Sequence, residues 1–564
     1  MPSVRLPGQS LIIGGLVGAL WFGLIGGWAV VNPGNLDWVT GDRAQHLLGW
    51  LFFRGESLGF PLGRIESLLH PVGTTVGFTD ANPLVSLLLK PFSAWLPVDF
   101  QFIGAWLLLS FVLQGVFAFR IMELLTSSVM VRVLGTVAFV SAPVLADRMG
   151  HDTLTAHWLL LGMIWLHLRP GITTRGTFVR AAVFNFVAAA VHPYLAVMVL
   201  ALTLSLLIQL SRDGQTLTPV RAAAYAVMFA LEVLAIFVLL GYVGGGAALA
   251  EGGFGEFSSD VLAMFNPMRD TLLLPRMRSR SGQHEGFAFL GTGLVLLLVI
   301  LAGTALLRRQ KLGVPSQLRP LVITALLMWV FALSDVITVA GHVVLTMRKL
   351  YDPLSPVVNS FRSGGRFVWP LYYLVITGTI FLAVSGRVLS RRVGIALLAA
   401  ALPLQAVEAT RITYFSNEGW PRVGSPVWES LDSTYRHLVL VPPVYPVGPP
   451  ACDSAGLPYE YRDIVRASYL AYRNGLTMNS AYVARAPAAE LEAYCRTLAD
   501  DVAARRFAYD TVYIVAGRAV ARFLARDSGA TCATLDGFLV CVSDTQRGRF
   551  HQQLRAAYEA ETTR

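Results

Sequence analysis

Long apolar runs separated by short charged connections dominate the first 410 residues. Segment 11–31, LIIGGLVGALWFGLIGGWAVV, carries no charge and is about the length of a helix that crosses a bilayer. Asn32, Pro33 and Gly34 follow it where a small-residue cleavage site would be needed, so it reads as an uncleaved first helix. Further candidate spans are 100–119, 131–146, 154–168, 178–191, 193–211, 221–243, 287–307, 320–340, 367–386 and 393–409. The expected fold is an α-helical polytopic membrane protein of about 11 transmembrane helices. His192 and Pro193 split 178–211, which reads either as two spans joined by a tight turn or as one broken helix plus a full one.

Alternate connections carry the cations. Arg120 with Arg132, Arg169 with Arg175 and Arg180, Arg212 with Arg221, Arg308 with Arg309, Lys311 and Arg319, and Arg387 with Arg391 and Arg392 fall on one side. Basic residues collect on cytoplasmic loops, which puts the N-terminus inside and the C-terminus outside. The outside connections are then 32–99, 147–153, a turn at His192, 244–286 and 341–366. Within the first, 82–97 (NPLVSLLLKPFSAWLP) is apolar but too short to span, so it lies along the interface or re-enters.

From residue 411 the pattern changes. HLVLVPP, TVYIVAG and FLVCVSD read as short strands, and 459–474 and 487–506 as helices, which predicts an extracytoplasmic α/β domain over 411–564. The transmembrane portion, 1–410, contains no cysteine; Cys452, Cys495, Cys532 and Cys541 all lie in this last segment. Outside a bacterial-type inner membrane disulfides are favoured, and Cys532 with Cys541 would tie the two ends of a hairpin, with Cys452 and Cys495 left for a second bridge.

Composition supports the membrane reading: 54% of the residues are hydrophobic and 14% charged, against about 25% charged in soluble domains. The net charge of +10 follows from the inside loops, and nucleic acid is disfavoured as a partner.

The polar chemistry gathers on the outside. After the first helix comes Asp37, then GDRAQH with Asp42, Arg43, Gln45 and His46. Asp42 suits a helix cap, and a carboxylate there can also deprotonate a hydroxyl or hold a divalent cation. Asp147, Arg148, His151 and Asp152 form a second cluster that reads as a metal or proton site, or as a solvated connector with Asp152 as a cap. Asp80 sits in turn chemistry, FTDANP. Arg276, Arg278 and Arg280 precede Gln283, His284 and Glu285, while Arg348, Lys349, Arg362 and Arg366 occupy 341–366. Arginine forks suit phosphate oxygens, and the glycines of FRSGGRF permit close backbone approach; membrane lipid headgroups are the alternative partner. Glu232 and Asp335 fall inside predicted spans, where charge is expensive and favours a transporter reading.

The order of these features resembles the GT-C superfamily of membrane glycosyltransferases. ANPLVSLLLKPF is similar to its juxtamembrane stretch, and GDRAQHLLGWLFFR and FRSGGRFVWPLYY resemble motifs of a related bacterial multi-pass membrane family. The resemblance covers 1–410 and implies sugar transfer from a polyprenyl-phosphate-linked donor to a glycan or lipid hydroxyl on the outer face of the bacterial inner membrane. It implies Asp42 as catalytic base and Asp152 as the second acidic position. Arg362 and Arg366, with Arg276, Arg278 and Arg280, would bind the donor phosphate. Arg43, Gln45, His46, Asp80, His151, His284 and Glu285 would line the pocket. Many members pair their first-loop acids, whereas here Asp42 is followed by Arg43. If a divalent cation (Mg or Mn) is held, Asp42, Asp152 and His151 are its ligands. The competing expectations are a transporter or flippase of a lipid-linked saccharide, and a non-catalytic subunit of polysaccharide assembly.

Overall fold

Among the described residues of the computed structural model, six helices are long and apolar enough to cross a membrane: Ile103–Leu125, Pro193–Arg212, Pro219–Leu239, Ser316–Leu333, Gly364–Ser385 and Arg391–Thr410. Val129–Val140 and Pro143–Gly150, bent by 44° at their junction, make a seventh if they form one span. The bend falls at Pro143, which has no N–H to continue the helix and whose ring crowds the preceding turn. The structure describes residues 8–169, 174–212, 217–243, 253–271, 273–358, 360–412, 415, 417–445, 452, 459–524, 529–545 and 547–562. Of the outside connections expected from sequence, 244–252, 272 and 359 lie outside the described residues.

The chain divides into two compact units: Met1–Asn35 with Gln101–Ile236 and Leu249–Ser416, and Leu36–Phe100 with Phe237–Ala248 and Asn417–Arg564. The first is the helical unit. Its opening helix, Gly15–Ile25, packs on Ile103–Leu125 so closely that a Cβ on Gly18 would come within 2.0 Å of the Phe111 carbonyl; small residues permit such contact between apolar helices. Thr174–Val191 and Pro193–Arg212 are separate helices, and Asn185 Nδ2 reaches Thr203 Oγ1 at 2.9 Å. A contact between positions 18 residues apart, one on either side of His192, requires the two helices to fold back on each other, so the tight turn, not the broken helix, is what forms. Asp335 does not lie inside a span: its helix ends at Leu333, a hairpin of Val336–Val339 and His342–Thr346 follows, and Arg348 Nε approaches Asp335 at 3.7 Å.

The second unit holds a five-stranded mixed sheet in the order Thr477–Met478, His437–Val441, Thr511–Val515, Phe538–Ser543, Ala530–Leu535. The first three strands are parallel and the last two antiparallel. Val439, Val441, Tyr513 and Val515 pack with Val502 and Phe523 in its core. Both disulfides form, Cys452–Cys495 and Cys532–Cys541, the latter between directly opposed positions of the last two strands.

The first outside loop, assigned from sequence to the transmembrane portion, belongs to this second unit. Leu68 bridges Met478 at the sheet edge, Met478 N–H donates to Ser67 O, and Ala484 N–H donates to Phe78 O. Asp99 accepts from Tyr469 Oη at 2.6 Å and from Arg473 at 3.1 Å. The 82–97 stretch becomes a short helix, Pro83–Leu89, opened by the Asn82 side chain. Arg54 pins its exit by donating to the carbonyls of Ser93, Leu96, Pro97 and Val98.

Candidate functional site

In the helical unit the polar chemistry collects in the connections at one end of the bundle. Trp106, in the first turn of Ile103–Leu125, donates its Nε1 to the Asp152 carbonyl at 3.0 Å. The His151 ring meets the His192 ring edge-on at 5.7 Å, so the connection 147–153 and the turn at His192 are neighbours.

Glu285 is the centre of this region. It sits in the turn Gln283–Gly286 and accepts Nε and Nη2 of Arg366, both at 2.9 Å, and Nη1 of Arg148 at 2.8 Å. Arg148 also donates to Asp147 at 2.9 Å and to the His284 carbonyl at 2.8 Å, and Asp147 accepts from Arg269 at 2.8 Å. The result is a chain of alternating charge, Arg269, Asp147, Arg148, Glu285, Arg366, drawn from connections far apart in sequence. Burial pushes the Glu285 carboxyl up, but Arg366 and Arg148 outweigh it and hold the group well below the usual carboxylate range. Paired, bidentate hydrogen bonds of this kind are what make a buried charge tolerable.

The segment FRSGGRF is built around this chain. Arg366 lies over the Tyr194 ring at 4.7 Å, and the Tyr194 hydroxyl accepts the Ser363 N–H at 2.7 Å. Gly365 N–H donates to the Phe257 carbonyl at 2.8 Å, and a Cβ on Gly365 would meet Gly286 Cα at 2.7 Å and Ser258 C at 2.8 Å. The close approach expected of these glycines is therefore made, at Gly365, to the protein's own backbone. Arg366, expected to grip phosphate, spends its fork on Glu285.

Arg362 is different. Its guanidinium lies 4.6 Å from the centre of the Phe257 ring, it is half-buried, and no carboxylate among the described residues pairs with it. Phe257 is itself tied to Gly365, so this cation is held beside the ladder without being neutralised by it. Arg276, Arg278 and Arg280 are exposed; Arg276 approaches Asp270 at 3.8 Å, and the Arg280 backbone N–H is accepted by Gln283 Oε1.

Asp152 is fully buried and is the first residue of the turn Asp152–Thr155, whose N-cap is His151. Sequence reasoning missed Asp260, also fully buried, which accepts from Thr338 Oγ1 and from the N–H groups of Leu262, Ala340 and Gly341. Through Thr338, which Gln283 contacts at 2.7 Å, it fixes the turn that carries Glu285. The signal was present only as one more acid in a long connection.

The remaining expected residues, Asp42, Arg43, Gln45, His46 and Asp80, belong to the second unit. Asp42 is exposed in the first turn of Asp42–Gly55, whose N-cap is Gly41 at φ 58°, and makes no side-chain cap hydrogen bond. The capping expectation is thus replaced by a carboxylate standing at the positive end of a helix dipole. Tyr461, not anticipated, donates to the Gly41 carbonyl at 2.9 Å; burial first, and then the Asp42 charge, push its hydroxyl pKa up. Arg43 and His46 are buried, with Arg43 over the Trp38 ring at 5.1 Å. Asp80 takes a left-handed turn conformation at φ 53°. The expected metal ligands are thus divided between the units, with Asp42 on the second and Asp152 and His151 on the first.

No curated protein matches the chain. Residues 427–543 match the DUF6311 C-terminal domain, and residues 15–410 match the family described as Domain of unknown function (DUF6311). With that match covering most of its length, the chain belongs to the DUF6311 family.

Proposed function

We propose that this protein is a membrane glycosyltransferase that moves a sugar from a polyprenyl-phosphate-linked donor to a hydroxyl of an envelope glycan or glycolipid. In this reading about 11 helices cross the bacterial inner membrane, the N-terminus is cytoplasmic, and the 411–564 domain is extracytoplasmic. The observation that carries the reading is Arg362: a guanidinium stacked on Phe257, lacking a carboxylate partner among the described residues, beside a ladder that immobilises its loop. A fixed, unneutralised cation at the end of an apolar bundle suits the phosphate of a lipid-linked donor.

The acceptor hydroxyl attacks the anomeric carbon and gives up its proton to a general base, and the bond from that carbon to the phosphate oxygen breaks. The departing polyprenyl phosphate takes the electron pair, and Arg362 stabilises the charge that grows on it. Asp42, exposed in the second unit, is the base that the resemblance to the GT-C superfamily implies. The transport reading loses one of its two intramembrane charges with Asp335 outside the helix.

The test is transfer of radiolabelled sugar from a panel of polyprenyl-phosphate donors to an envelope extract by the purified full-length protein. Transfer by wild type that disappears in folded Asp42→Asn and falls sharply in Arg362→Gln is the expected result. Absence of transfer across the panel, or full activity in both variants, overturns the proposal.

A further inference from the structure

At the opposite end of the same helices, the helical unit carries a second cationic cluster. Trp165, near the end of Trp158–Leu168, has the guanidinium carbon of Arg120 at 5.1 Å and that of Arg169 at 5.4 Å from its ring centre. Arg120 comes from the last turns of Ile103–Leu125, and Arg169 closes the Trp158 helix. Arg180, in the second turn of Thr174–Val191, is within electrostatic range of both. Trp165 is itself 7% exposed and backed by Phe117, whose ring centre is 6.3 Å away.

None of the three arginines forms an ion pair with a carboxylate among the described residues, including Glu123, one turn beyond Arg120. Each gains about 0.5–1 kcal/mol or more from an aromatic face where it has one, which does nothing to remove the mutual repulsion. The carbonyl ends of the two helices offset about half a charge each, while the N-terminal end of Thr174–Val191 adds about as much back. More than two positive charges therefore remain, two of them as guanidinium forks against one aromatic wall. A phosphate group matches that excess in charge and in bidentate geometry.

We propose that Arg120 and Arg169, held against Trp165, bind a phosphate group, carried either by an anionic lipid headgroup or by a soluble phosphate. Basic pockets between membrane helices are suited to such headgroups. The site is separate from the glycosyl-transfer reading and does not depend on it.

The test uses the full-length protein, delipidated in neutral detergent and titrated with phosphatidylglycerol, phosphatidylcholine or inorganic phosphate. Retained lipid is read by native mass spectrometry and binding by the thermal midpoint. Phosphatidylglycerol should bind wild type roughly 30-fold more tightly than Arg120→Gln/Arg169→Gln, with the exposed-cation control Arg392→Gln like wild type. A response to phosphatidylglycerol alone assigns the lipid source, and a matching response to inorganic phosphate assigns the free ion. Equal binding of phosphatidylglycerol and phosphatidylcholine with no phosphate response overturns the proposal. If the glutamine pair does not fold, Arg120→Lys/Arg169→Lys keeps charge and removes the forks; binding weaker than wild type supports the site, and equal binding overturns it.

Discussion

Arg366 meets the Glu285 carboxylate fork to fork, Nε to Oε2 and Nη2 to Oε1, each at 2.9 Å. The pair joins the head of one membrane-length helix to a turn 81 residues earlier and is continued by Arg148 on the other side. Removing the central carboxylate leaves two cations facing each other in a site where their side chains are only 7–8% exposed.

Glu285→Gln is therefore expected to cost about 3–5 kcal/mol at neutral pH, the usual penalty for breaking a buried pair from one side. The carboxyl is held below its ordinary value in the folded protein. Its contribution is complete above the unfolded value of about 4.3 and is lost as pH falls through the folded one. Thermal midpoints of wild type and variant across this range should differ most at neutral pH and converge in acid; parallel curves would contradict the assignment.

Gly365 and Gly364 separate two meanings of the same motif. A methyl group on Gly365 would run into the backbone of Gly286 and Ser258 at 2.7–2.8 Å, whereas on Gly364 the nearest atom is a Phe254 ring carbon at 3.5 Å. Gly365→Ala should destabilise by about 1–3 kcal/mol through overpacking, and Gly364→Ala should leave the thermal midpoint close to wild type. Equal effects would place the constraint elsewhere.

What the sequence made legible was local. The hairpin that joins Cys532 to Cys541 follows from alternation and spacing, and the turn at His192-Pro193 from punctuation of an apolar run. FRSGGRF stood out, but the partner of Arg366 could not be read, because Glu285 lies in another connection and no periodicity links them. The same blindness hid the attachment of 36–100 to the C-terminal sheet, which rests on Leu68 with Met478 and Asp99 with Tyr469. Span number is left open by hydropathy: Trp158–Leu168 is apolar but for His167 and only 11 residues long, and hydropathy does not distinguish a short buried helix from a crossing one. Arg120 and Arg169 were absorbed by the orientation rule, which accounts for charge one residue at a time and ignores the ring they share.

Arg362 donates no hydrogen bond and makes no ion pair among the described residues, so its loss should spare the fold. For a group that acts on transition-state charge, Arg362→Gln should lower sugar transfer by about 100-fold or more while the thermal midpoint stays at the wild-type value. A variant that lost stability and activity together would assign Arg362 to the scaffold.

The two disulfides close loops of different length, with sequence separations of 43 for Cys452–Cys495 and 9 for Cys532–Cys541. On the chain-entropy account, replacing the first pair by serine should cost about 4 kcal/mol and the second about 2.5 kcal/mol. Denaturant midpoints of the two double variants check the order; the reverse order would show that the short bridge, set between paired strands, carries packing that loop length does not describe.

His437 gives the second unit an acid-sensitive element. Its ring stacks on His70 at 4.9 Å, its Nδ1 meets Thr477 Oγ1 at 2.7 Å, its Nε2 is 3.9 Å from Asp510, and Arg436 adjoins it in the chain. Burial lowers its pKa, with His70 and Arg436 acting in the same direction and Asp510 opposing them. The unfolded chain therefore takes up a proton near pH 6.5 before the folded one does. Stability is complete above that value and falls as pH drops toward the folded pKa, since the unfolded state binds more protons in that window. His437→Gln should flatten this part of the pH–stability curve while leaving the Glu285-dependent loss at lower pH in place; a curve unchanged between pH 7 and pH 5 would remove His437 as its source.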